Sequence, residues 1–122
     1  MRVAVAVTAV ALGACATDSL VADQPRTAEA QAIAPYEFHE ECAQLVPGDR
    51  LDFRFEANIP VSFEIYYKEG ITFIATVSRD YVTEYAGIFQ ARLPQRYCLR
   101  WEAGPGGAQL DFRVRLLRAA AK

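Results

Sequence analysis

The sequence predicts an all-β chain: an antiparallel β-sandwich of seven or eight strands, preceded by a signal peptide and a flexible tether. Three observations carry this. Apolar and polar residues alternate with period two in several segments after residue 50, and clusters of Gly, Pro and Asp separate those segments. No segment shows the 3.6-residue periodicity of an amphipathic helix. With 122 residues, half of them hydrophobic and 11% aromatic, the chain has room for one packed domain and its tails.

Residues 1–16 read MRVAVAVTAVALGACA. Arg2 is a minimal positive n-region, and the ten-residue apolar run 3–12, interrupted by Thr8, would span only about 15 Å as a helix. That is too short to cross hydrocarbon and the right length for a signal-peptide core. The run ends Leu12-Gly13-Ala14-Cys15, which is similar to the lipobox of bacterial lipoproteins. The resemblance implies recognition through Leu12, Gly13 and Ala14, cleavage before Cys15, and a diacylglycerol thioether on that cysteine. Two or three acyl chains hold a protein on a membrane where one does not. The rival reading is ordinary cleavage after Ala16, since Ala14-Cys15-Ala16 also fits the small-x-small rule. Cysteine parity favours lipidation, because using Cys15 leaves Cys42 and Cys98 as an even pair.

Residues 15–35 carry no aromatic side chain and are rich in Ala, Asp, Gln and Thr. They are expected to form a lipid-anchored tether holding the domain off the bilayer, with at most a short helix over 27–33. The domain is expected over 36–118 and a tail over 119–122.

Within the domain, 50–57 (RLDFRFEA) sets Leu51, Phe53, Phe55 and Ala57 against Arg50, Asp52, Arg54 and Glu56. This is the pattern of a half-buried antiparallel strand. Residues 60–67 (PVSFEIYY) repeat it with Val61, Phe63, Ile65 and Tyr67, and Lys68-Glu69-Gly70 reads as a hairpin loop with Gly in the left-handed position. Residues 71–78 (ITFIATVS) are apolar or β-branched almost throughout, which predicts a strand covered on both faces. Weaker strands are expected over 81–85 and 87–92. Residues 96–102 place Tyr97, Leu99 and Trp101 on one face. After the turn Gly104-Pro105-Gly106-Gly107, a last strand brings Leu110, Phe112, Val114 and Leu116 inward. A core of this size is marginal alone. A Cys42–Cys98 bond would close a loop of about 57 residues, worth about 4 kcal/mol by chain entropy. Two separate buried thiols are the alternative.

The order of these segments resembles the GOLD (Golgi-dynamics) domain, a jelly-roll-like β-sandwich of lumenal cargo receptors and lipid-transfer proteins. The resemblance covers residues 36–118 and rests on EECAQLVPGDRLDFRFEA, PVSFEIYY, AGIFQARL and YCLRWEAGPGGAQLDFRVRLL. It implies a disulfide between Cys42 and Cys98, since cargo receptors pair a cysteine near the first strand with one in the penultimate strand after an aromatic, here Tyr97. It also implies a protein- or lipid-interaction role. Glu102-Ala103-Gly104 stands where the family has an Asn-containing turn. The receptors' trafficking role is not expected to carry over.

Chemistry-bearing residues are few. His39 is the single histidine. Its neighbours Glu40 and Glu41 alternate in direction along a strand, so no triad is expected and His39 reads as a strand-surface residue. No HExxH or CxxC motif occurs. The turn 104–107 is not followed by a helix and is no phosphate cradle. No enzyme, catalytic residue, metal or cofactor is expected. Arg50, Arg54, Arg100, Arg113 and Arg115 alternate with acids as a solvated surface. With 13 basic and 15 acidic residues and no like-charge run, nucleic acid is not an expected partner. Tyr66, Tyr81 and Tyr85 are the candidate binding surface.

The expected function is that of an exported module, lipid-anchored to the bacterial cell envelope at the periplasmic face of the outer membrane. It would contact the membrane through its lipid and another envelope protein through its surface, without catalysis; its oligomeric state stays open. A secreted carbohydrate- or lipid-binding sandwich is the alternative, and a small enzyme ranks last.

Overall fold

A computed structural model describes residues 19–120. They form six antiparallel strands: β1 (Arg26–Ile33), β2 (Phe38–Leu45), β3 (Arg50–Glu69), β4 (Thr72–Gln90), β5 (Gln95–Ala103) and β6 (Ala108–Leu117). All belong to one sheet in the order β1-β6-β3-β5-β2, with β4 on the other side of β3. The proposed cleavage and lipidation residues Leu12, Gly13, Ala14, Cys15 and Ala16 lie outside the described residues.

The sheet curls because β3 changes partner halfway. Its first half, from Arg50 to Ala57, pairs with β6, and its second half, from Val61 to Tyr66, pairs with β5. β4 follows β3 along nearly its whole length, from Thr72 opposite Glu69 to Gln90 opposite Arg50. Two wings result, β1-β6-β3-β4 and β2-β5-β3-β4, sharing the β3–β4 ribbon. The break falls at Asn58-Ile59-Pro60, where Pro60 lacks an amide donor and the register shifts.

The strands expected over 50–57 and 60–67 are thus one strand, and those over 71–78, 81–85 and 87–92 are another. The count is six rather than seven or eight.

The concave side holds the core. From one wing come Leu51, Phe53, Phe55, Leu110, Phe112 and Val114; from the other come Val61, Phe63, Ile65, Leu99 and Trp101, all buried. The wings meet through aromatic rings. Trp101 stacks on Phe112 with centroids 5.0 Å apart, meets Phe55 edge-on at 5.8 Å and lies 5.5 Å from Phe63. Trp101 has no solvent exposure, and its Nε1–H has no hydrogen-bond partner among the described residues. That costs about 1–3 kcal/mol. Burying an indole of 150–250 Å² returns roughly 4–6 kcal/mol, so packing wins.

The described part of the expected tether, residues 19–35, is structured. β1 adds to the edge of β6 from Arg26 opposite Val114 to Ile33 opposite Ala108. A bulge between Ala28 and Gln31 puts Ala30 at φ 52°, and Asp111 Oδ1 accepts the Ala30 amide at 2.7 Å. Leu20 is buried too, and its amide donates to Cys42 O at 2.9 Å. The helix allowed over 27–33 does not form. Small residues hide β1 from pattern reading: Ala28 and Ile33 supply its inward apolar surface.

Two turns close the ends. Val46-Pro47-Gly48-Asp49 has Pro at the second position and Gly48 at φ 98° in the third, the type II signature. Asp49 caps this turn and the chain end together. Its carboxylate accepts the Val46 amide at 3.0 Å, the Ala119 amide at 2.8 Å and Arg118 Nη1 at 2.8 Å, while only 1% exposed. Burial alone would raise its pKa; the two amides and the guanidinium outweigh burial and hold it below the ordinary carboxylate value. At the other end Gly107 sits at φ 69°, and a Cβ there would lie 2.8 Å from Ile33 O. Only glycine fits both demands.

Two predictions follow from these turns. Gly107→Ala should lower stability by more than about 1 kcal/mol, since backbone strain and a clash combine; an unchanged urea midpoint would show that the turn relaxes freely. Asp49 has a depressed folded pKa, so its stabilisation is present above the unfolded value near ~3.9 and lost as pH falls through the lower folded value. Asp49→Asn should cost about 1–3 kcal/mol at pH 7 and flatten that acid limb, measured by denaturant titration at pH 2–5.

Candidate functional site

The polar chemistry is distributed over three places: the mouth between the wings, the outer faces, and the free edge of β4. At the mouth, β1 and β2 are the edge strands of opposite wings. His39 Nε2 lies 2.6 Å from Glu41 Oε2, and Arg26 Nη1 reaches Glu41 Oε1 at 2.8 Å. His39 and Glu41 are two apart on one strand and therefore share a face, a pairing that attention to sequence neighbours missed. His39 is half-buried with its ring 5.3 Å from Phe112 and 6.0 Å from Trp101, rather than on the strand surface. Glu41 is buried and serves two donors. Through Glu41, Arg26 on β1 is tied to β2 of the opposite wing.

On the outer face of the second wing, Cys42 stands directly opposite Cys98 and is bonded to it, with Cα atoms 4.0 Å apart. Tyr66 lies beside the disulfide, stacks on Phe73 at 5.1 Å and donates its hydroxyl to Glu40. Burial, then the Glu40 hydrogen bond and charge, push the Tyr66 phenol up to about 12. Glu40, Cys42 and Cys98 are close enough together to hold a metal ion. The disulfide consumes both thiolates, so this chemistry does not fit one.

The three tyrosines expected to share a binding surface are not brought together. Tyr66 is buried on the outer face. Tyr85 is half-buried on the inner side against Phe53 and Phe63, with Arg79 over its ring and bonded to its hydroxyl. Tyr81 alone is fully displayed, 81% exposed with φ 54°.

Shallow grooves lie on the outer faces, two of them among the described residues. The larger, about 870 Å³, is lined by Thr27, Glu29, Arg54, Glu56, Asp111 and Arg113, among others. Its floor is striped: Arg54 faces Arg113 across β3 and β6, and Glu56 faces both Asp111 and Glu84. Like charges directly opposed repel; the alternation of rows relieves this diagonally. Asp111 is occupied by the β1 bulge. The smaller groove, about 210 Å³, lies over Ser62, Glu64, Ser78, Asp80, Arg100 and Glu102. Arg100 stacks over Phe38 at 4.1 Å, and Arg115 approaches Asp52 at 3.9 Å, as expected of outward arginines among acids.

The third place is the one sequence patterning misread. The run 71–78, expected to be covered on both faces, lies at the sheet boundary: among the described residues β4 pairs only with β3. Ile71 is 95% exposed at the hairpin tip after Gly70, and Phe73 and Ile88 are exposed along the strand. The inner-face residues Ile74, Val77, Val82, Tyr85 and Phe89 are only partly covered. The one available signal was the run itself, a 19-residue strand without proline or lysine.

No family model matches the chain. No curated protein matches it. Among solved structures, it is similar to a de novo designed double-stranded β-helix determined by solution NMR, with a TM-score of 0.41 and 19% identity. The match covers 76% of this chain and 97% of that one.

Glu41→Ala should cost about 1–3 kcal/mol, because it removes the buried carboxylate that His39 contacts at the mouth of the core, whereas His39→Phe should cost less. Equal losses in thermal unfolding would show that the carboxylate is not the shared partner.

Proposed function

We propose that the chain is an exported lipoprotein of the bacterial cell envelope whose domain, a GOLD-like β-sandwich, is a non-catalytic protein-interaction module. Cys15 carries the lipid in this reading, and the Leu12-Gly13-Ala14 approach to it is its sequence support. The observation that carries the interaction role is the free edge of β4. Unpaired N–H and C=O groups along a strand with exposed apolar side chains invite another protein's backbone.

The interior favours this over the carbohydrate- or lipid-binding alternative. The space between the wings is filled by Trp101, Phe112, Phe55 and Phe63 rather than left for a ligand. The polar groups at the mouth are spent on each other. The disulfide suits an exported domain, where oxidising conditions maintain it.

Mass spectrometry of the mature N-terminus is expected to find Cys15 bearing a diacylglycerol thioether. An unmodified terminus at Thr17 would sink the anchor. Photo-crosslinking from Tyr81 in intact cells is expected to join the domain to a protein chain; recovery of glycans or lipids alone would hand the function to the alternative.

A further inference from the structure

We propose that residues 84–90 of β4 pair antiparallel with the same segment of a second copy, joining two domains edge to edge. The inference rests on the interaction-module reading and names its partner.

The edges of this sheet are not equally open. β1 is eight residues long and kinked by the Ala28–Gln31 bulge that Asp111 holds. β2 is met along its edge by the chain before β1, through the Leu20 amide on Cys42 O. The first half of β4 carries its own deterrents: Lys68 sits over the Phe73 ring at 5.0 Å, and three register irregularities break the ladder between Tyr66 and Glu56. Arg79 and Asp80 add charge, and Tyr81 a left-handed kink. Bulges, charges and short length are what natural sheets use to prevent edge pairing.

Of these, residues 84–90 have only the charge of Glu84 at one end. They run in unbroken register with residues 50–56, and between Glu84 and Gln90 the strand is Tyr-Ala-Gly-Ile-Phe, without a charge. The segment is also its own complement. An antiparallel pair about a two-fold axis through Gly87 sets Tyr85 opposite Phe89 and Ala86 opposite Ile88 of the other copy. Glu84 then falls opposite Gln90, so no like charges are opposed. Side-chain parity is kept. Tyr85, Gly87 and Phe89 share the inner face with Leu51, Phe53 and Phe55, and Ala86 and Ile88 share the outer one.

Pairing would also cover what the single domain leaves open. Tyr85 and Phe89 are half-buried, and Ile88 is 62% exposed. Gly87, on the axis, leaves its inner face to the Phe53 ring, which stands 3.2 Å from where a Cβ would lie. The joined wings would form one eight-stranded sheet, β1-β6-β3-β4 continuing into its symmetry copy. An isologous contact of this kind closes at two copies and does not propagate.

The test uses the full chain. The double variant Ala86→Cys/Ile88→Cys is expected to give a disulfide-linked dimer under mild oxidation, mapped to a bond between 86 of one copy and 88 of the other. Neither single variant should give it. In sedimentation velocity the native chain should self-associate, and Ile88→Lys should weaken this by about tenfold or more. Tyr81→Lys, exposed on the same strand, should not. An intact Cys42–Cys98 peptide in each variant reports that the domain is folded. A native chain that stays monomeric while the introduced cysteines capture a different protein overturns self-pairing and leaves the module reading standing. A monomeric chain that captures nothing overturns both. A dimer crosslinked elsewhere overturns the assigned edge.

Discussion

The fold depends on one constraint: β3 and β4 belong to both wings at once. Leu51, Phe53 and Phe55 lie on one side of Asn58-Ile59-Pro60, and Val61, Phe63 and Ile65 on the other. One strand therefore supplies inward side chains to both halves of the core. The angle at which it bends decides whether Trp101 meets Phe112. Close packing makes such an arrangement sensitive to small shifts, because an interior at crystal-like density has little slack. The mouth opposite the ribbon is closed differently, by the Arg26–Glu41 ion pair between β1 and β2. The curl is thus held by covalent continuity on one side and by side chains on the other.

Much of this was legible. The alternation in 50–57, 60–67, 96–102 and 108–117 marks four strand regions with their inward faces, because a half-buried strand must repeat every two residues. Gly70 and the 104–107 turn announce themselves through conformations that suit glycine. The Cys42–Cys98 bond was expected from parity and family resemblance, and the two residues stand opposite each other in the ladder. Continuity was not legible. The expected strands break at Asn58-Ile59 and at Arg79-Asp80, and only the pairing of β3 with β4 shows that one strand runs through each break with local shifts.

Other misreadings share a physical cause. Hydrophobic patterning reports which side chains avoid water, not which neighbour covers them. The run 71–78 thus looked doubly covered although it lies at an edge. β1 was invisible for the opposite reason: it joins the sheet by backbone hydrogen bonds and a few small side chains, and backbone bonds leave no trace in composition. His39 and Glu41 needed period-two reading of a segment whose strand character was weak. Asp49 carries three hydrogen bonds in a turn where aspartate is common for local reasons.

The docking of Leu20 changes the scale of the molecule's surroundings. On the lipoprotein reading the anchor is at Cys15, and five chain steps separate it from a side chain fixed in the core at Leu20. Fully extended they reach about 17 Å, where a twenty-residue leash would have reached about 70 Å. The domain is then not a float on a line but a stud set close to the lipid headgroups. Its leash leaves from the β2 side, with β5 and β3 between it and β4. Lateral diffusion in the bilayer, rather than swing through the periplasm, would set how often it meets anything.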